Sequence, residues 1–163
     1  MTIHYNIQDI EPYINWIYFY HAWNMNGKPE AEKIKLRGDA EKMLHEWYGN
    51  YHTHAVFEIL DANSDGDDLI LNGIRIPMLR QQKLAADGLP NLCLTDFVRP
   101  VSTCVKDKAG VFATTVDTEL QKKYINDDYK RMMSQVLADR LAEGTAERMH
   151  EEVRRKYWGY APN

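Results

Sequence analysis

Two carboxylates one helical turn apart, Asp139 and Glu143, are the residues of this chain best placed to do chemistry. Their spacing of four, and that of Met132 and Val136 before them, puts all four side chains on one ridge of a helix. Like charges at that spacing repel by about a few tenths of a kcal/mol when exposed, so a cation would be welcome beside them. A second ridge over the same turns, Met133, Leu137 and Leu141, is wholly apolar, and a helix covered on two ridges is expected to turn the acidic pair toward a cleft wall. The competing reading is a solvated face, with Arg140 in pairing distance of Glu143. Gly144 sits beside the pair inside a run of good helix formers. There it costs roughly 1 kcal/mol against alanine, which points to close approach of a backbone or a ligand.

Other candidate chemistry is weaker. Asp61, Asn63, Asp65 and Gly66 fall at positions 1, 3, 5 and 6 of a calcium-binding loop, but position 12 is Asn72 instead of a bidentate glutamate. The flanks are strand-like, so DANSDGDD is expected to be a long polar turn. His52 and His54 alternate along an extended segment with no third ligand in view, and read as structural or surface histidines. Cys93 and Cys104 lack a CxxC spacing or a neighbouring histidine and are expected to be reduced thiols. No nucleophile–base order, glycine-rich phosphate loop or glycosidase frame is present. Accordingly no catalytic residue and no metal is assigned.

The chain has 163 residues, a length that suits one domain over residues 1–163. Its formal charge of -4, with basic residues interleaved among acids, argues against a nucleic-acid surface. No apolar run approaches the roughly twenty residues of a membrane span, and MTIHYNIQDIEPY is not a leader. The expectation is a cytoplasmic protein.

Several elements must position the acidic pair. A long helix is expected from Asp127 to Trp158, free of proline and interrupted only by Gly144. DIEPYINWIYFYHAW, Asp9 to Trp23, reads as one largely buried helix with Asp9 as cap and Pro12 in the first turn, and Asn15 is its polar exception. NMNGKP is a turn, and Glu30 to Tyr48 is a second helix ended by Gly49 and Asn50. From His54 the pattern changes to branched apolar residues with a hairpin at Asn72-Gly73. A loop around Asp87, Gly88 and Pro90 follows, then LCLTDFVRP as a buried strand ended by Pro100 and GVFATTV as a last strand. The fold class is α+β: a single domain with a twisted antiparallel sheet, N-terminal helices and a long C-terminal helix.

DIEPYINW, Asp67-Asp68, LRQQ, LCLTDFVRP, Asp127-Asp128-Tyr129, LADRLAE and KYWGYAPN together carry a resemblance over nearly the whole chain. The chain resembles the activation domain of cobalamin-dependent methionine synthase, the reactivation module that binds S-adenosylmethionine. The resemblance implies a curved α/β fold and a repair role as an accessory domain of a methyltransferase in methionine biosynthesis. The family's domain caps oxidised cob(II)alamin while a flavodoxin-type reductase supplies an electron and S-adenosylmethionine a methyl group. Cobalamin would be met only through a partner domain, in cis or in trans. Glu143 matches a family glutamate that contacts S-adenosylmethionine, Asn15 stands where the family has an aspartate that also binds it, and Asp139 matches an acid that meets the histidine released from cobalt. Asparagine keeps the shape but not the charge, so affinity should be weaker. The family also continues beyond YWGYAPN into an R-x-x-x-G-Y-P segment that grips the substrate, so an incomplete site is expected from this sequence. A module that keeps the fold and the docking face without binding S-adenosylmethionine is the alternative.

Overall fold

The computed structural model of the chain describes residues 1–86 and 88–161, Gln121 without its side chain. Asp87, at the centre of one expected loop, lies outside the described residues, as do Pro162 and Asn163. The fold is α+β, and its residues gather into two compact units: Met1–Val56 with Phe112–Asn163, and Phe57–Val111.

The first unit is built on the long helix α5 (Asp128–Glu152). Asp127 caps it by accepting a hydrogen bond from the Lys130 N–H, and a π-helical turn, Val153–Tyr157, carries it on to Trp158. The expected helix therefore runs over nearly its expected length. Its apolar ridge is the core: Met133, Leu137 and Leu141 are fully buried. Against it pack α1 (Ile7–Ile10), a 3-10 turn (Glu11–Tyr13), α2 (Trp16–Ala22), α3 (Glu30–Trp47) and α4 (Glu119–Lys122). These add Ile7, Ile10, Phe19, Leu44, Trp47 and Leu120 to the buried set. Strand β1 (Thr2–Asn6) pairs antiparallel with the start of β2 (His52–Asp65).

The segment Asp9–Trp23 is three short pieces where one largely buried helix was expected. Pro12 sits at the start of the 3-10 turn, Ile14 is extended, and Asn15 restarts the chain as the N-cap of α2. Only Phe19 of α2 is buried, and Ile17 and Tyr18 are exposed. The cause is local: the Asn15 side chain accepts from the Ile17 N–H, which fixes a helix start and not a helix interior.

The second unit holds the rest of β2, then β3 (Asp68–Leu71), β4 (Ile74–Pro77) and the start of β5 (Asp107–Val116), which pairs β2. β2, β3 and β4 are successive antiparallel neighbours. Asn72 and Gly73, at φ 48 and 85, form the expected two-residue hairpin between Leu71 and Ile74. DANSDGDD is not a long turn. β2 runs through Asp65 with Ala62 and Ser64 buried, and only Gly66 and Asp67 turn the chain before Asp68 pairs back to Asp65. The outward carboxylates are neutralised: Asp61 meets Lys106 and Lys108, and Asp65 meets Arg75. LCLTDFVRP is not a strand either. Leu94–Phe97 is a 3-10 turn in which Asp96 accepts from the Cys93 N–H at 2.8 Å, and Leu94 and Phe97 stand exposed. Cys93 is buried and Cys104 exposed, both as free thiols.

Candidate functional site

Gly144 shows what places the acidic ridge. A Cβ built there would lie 3.0 Å from Ile10 Cγ2 and 3.4 Å from the carbonyl carbon and Cβ of Tyr13, so α5 and the Glu11–Tyr13 turn meet almost backbone to backbone. The close approach expected at Gly144 is thus a backbone. One turn earlier on α5, the Arg140 guanidinium lies 5.7 Å over the ring of Tyr18, in the first turn of α2. Asn15 falls between Tyr13 and Tyr18 in the chain, and Glu143 between Arg140 and Gly144. Tyr13 is tied further along α5 by its hydroxyl, which donates to Glu151 and accepts from Arg148.

Asn15, Asp139 and Glu143 are all exposed. The expectation that the pair faces a cleft wall is not met. The cation beside Glu143 comes from its own helix: Arg140 Nη1 donates to Glu143 Oε2 at 2.7 Å, with the arginine side chain 15% exposed and the glutamate 56%. The Arg140 Nε is buried without a hydrogen-bond partner among the described residues. Sequence reading named Arg140 only as a neutralising neighbour and missed its stack on Tyr18. The i, i+3 spacing from Arg140 to Glu143 was the available signal, whereas the partner on α2 had none.

Asn15 uses one lone pair of Oδ1 to cap α2, leaving a second lone pair and two N–H donors for a ligand. Its flanking residues Ile14 and Trp16 line a depression of about 420 Å³ shared with Gln8, Glu11, Pro12 and Arg37. Arg37 stacks 4.4 Å over Trp16 and pairs with Glu41 at 2.7 Å. Burial raises the Glu11 carboxyl above the ordinary carboxylate range, and Tyr48 donates to it. Among the described residues no group of three or more His, Cys, Asp or Glu is arranged to hold a metal ion, and no helix is long and apolar enough to cross a membrane.

The first unit is thus a long helix packed by shorter ones, with the carboxylates of Asp139 and Glu143 exposed on its surface. The family model for the vitamin B12 dependent methionine synthase activation domain matches residues 6–163, and the chain belongs to that family. It is similar to the MetH reactivation domain solved bound to AdoHcy: 34% identical with a TM-score of 0.88, over all of this chain and 57% of that one. The chain thus spans little more than half the length of that relative.

Proposed function

We propose that this chain binds S-adenosylmethionine along the Asn15 and Glu143 edge of α2 and α5, and that it serves reactivation of a cobalamin-dependent methionine synthase. The observation that carries the reading is the paired packing of Gly144 on Tyr13 and Arg140 on Tyr18, since Asn15 lies between those two tyrosines in the chain and Glu143 between Arg140 and Gly144. The family membership and the AdoHcy held by the similar structure support it.

A sulfonium and an ammonium on one ligand suit a carboxylate and an amide oxygen, and charge-assisted hydrogen bonds are the strong ones. Glu143 takes the cationic end and Asn15 orients it through the free lone pair of Oδ1. Asp139, one turn away on the same ridge, meets an imidazolium of the docking cobalamin domain. That domain's cofactor supplies the nucleophilic cobalt, a flavodoxin-type reductase the electron, and S-adenosylmethionine the methyl group, leaving S-adenosylhomocysteine. This chain contributes position and electrostatics. The partnership is cytoplasmic.

Titration calorimetry with S-adenosylmethionine tests the reading, on the chain alone and with a cobalamin-bearing domain. Glu143→Ala should weaken binding roughly 10- to 100-fold, the worth of a hydrogen bond to a charged group. Its melting temperature should move little, because Glu143 is 56% exposed and an ion pair screened on that side is worth about 1 kcal/mol or less. No heat at millimolar ligand in either setting would leave a docking module that does not bind S-adenosylmethionine.

A further inference from the structure

His4 and His54 face each other across β1 and β2 in direct register. Opposite residues of antiparallel strands share a face with Cβ atoms about 4.5–5.5 Å apart, and here the two Nδ1 atoms converge to 2.6 Å. On the far side of the second ring, His54 Nε2 lies 2.8 Å from Asp117 Oδ1. A carboxylate only accepts, so Nε2 carries the hydrogen of that contact, and the tautomer this fixes has the lone pair of Nδ1 on the side of His4. Asp117 is itself fixed, because its other oxygen accepts from the His52 N–H at 2.8 Å.

We infer that His4 and His54 form a binding site for a divalent transition-metal ion, with both Nδ1 atoms as ligands and Asp117 as the carboxylate that orients His54. Imidazole nitrogens suit zinc, copper and nickel, and a carboxylate behind a ligating histidine is the usual device for fixing its tautomer. Metal–nitrogen bonds of about 2.0–2.1 Å need nitrogens roughly 2.9 Å apart at a right angle and about 3.3 Å apart at a tetrahedral one. The rings therefore open by less than about 1 Å, and His4 is exposed and free to turn. Water completes the coordination, because His52 leans on Asp117 instead, its Nδ1 being 3.9 Å from Oδ2. Two protein ligands make a weaker site than a closed four-ligand one. The site uses none of Asn15, Asp139 and Glu143 and does not depend on the S-adenosylmethionine reading.

Calorimetric titration of the intact chain with Zn²⁺ in a non-chelating buffer tests it, with nitrogen-15 histidine spectra as the second readout. One equivalent should bind and shift the Nδ1 resonances of His4 and His54. His4→Ala and His54→Ala should each weaken binding by at least tenfold. Asp117→Asn should do so by about 10- to 100-fold, and His52→Ala should leave it within twofold. Unchanged melting temperatures in the two alanine variants separate loss of the site from loss of the fold. No binding at millimolar Zn²⁺, or binding undiminished in His54→Ala, overturns the inference.

Discussion

Gly144→Ala isolates the contact on which the proposed site rests. The added methyl would meet Ile10 Cγ2 at 3.0 Å and Tyr13 backbone and Cβ atoms at 3.4 Å, against an optimum of about 3.5–4.0 Å for carbon pairs. Ile10 is fully buried and has no open space to retreat into. Alanine gains roughly 1 kcal/mol in helix propensity, while overpacking costs about 1–3 kcal/mol. The expected net effect is a loss of about 1 kcal/mol, a fall of about 2–4 °C in melting temperature for a chain of this size. Urea denaturation followed through buried Trp47 reads it. Ile10→Ala removes Cγ2, so in that background Gly144→Ala should become neutral or stabilising, with a coupling of about 1 kcal/mol or more across the cycle. A rise in stability from Gly144→Ala alone refutes the reasoning. It would mean that α5 does not press on the Glu11–Tyr13 turn, and the packing on which the proposed site rests would fall with it.

Asn15→Asp keeps the cap and adds a charge, and should tighten S-adenosylmethionine binding about fivefold by calorimetry, the gain of roughly 1 kcal/mol from making the hydrogen bond charge-assisted; unchanged affinity would remove Asn15 from the proposed site. Trp47 Nε1 donates to the Tyr124 hydroxyl at 3.1 Å inside the core, so Tyr124→Phe leaves a buried indole N–H unpaired. It should cost about 1–3 kcal/mol, read as a lower urea midpoint at constant slope. In the second unit Arg80 grips Asp67 at 2.6 Å and Asp96 and the Asn91 carbonyl at 2.7 Å. Hydrogen bonds from Arg80, then from the Cys93 N–H, hold the Asp96 carboxyl down at about 2. A depressed carboxylate contributes above its ordinary value near 3.8 and loses that contribution as pH falls through the folded value. Pepsin should therefore begin to cut within residues 79–97 between about pH 4 and pH 2, and Asp96→Asn should open the same segment to a neutral protease. An identical cleavage pattern in that variant counts against the clamp.

Long periodic stretches were legible because one physical pattern governs each of them. α5 follows its apolar ridge, α3 ends where Gly49 takes φ 70, and the Asn72-Gly73 hairpin has the backbone that only such residues adopt easily. The misread segments share a different cause. In DANSD the inward residues are Ala62 and Ser64, small enough to bury without looking apolar, while the outward ones are turn formers whose charges are met by Lys106, Lys108 and Arg75 far along the chain. LCLTDFVRP has the composition of a strand, but its geometry is set by Asp96, whose partner Arg80 lies sixteen residues earlier. DIEPYINWIYFYHAW hides its break because Asn15 caps through a single side-chain bond. In each case a polar contact overrides the local pattern; in the first two the partner lies outside a local window, and in the third the bond spans two residues but does not show in the apolar spacing.

The acidic ridge looked unbalanced from sequence for another reason: spacing alone does not decide between a solvated pair and a carboxylate awaiting a cation. Asp139 and Glu143 suggested a missing cation, yet Arg140 already stands against Glu143 while its guanidinium lies over Tyr18 of α2. One side chain thereby joins α2 to α5 and neutralises the carboxylate proposed to receive the ligand. A cation arriving at Glu143 does not relieve a bare charge; it joins or replaces an ion pair whose own worth is small because Glu143 is mostly exposed. In the proposed site the contribution of Glu143 is therefore the directed hydrogen bond it accepts more than long-range charge attraction. On that reading Asn15 offers hydrogen bonds and shape without a further charge.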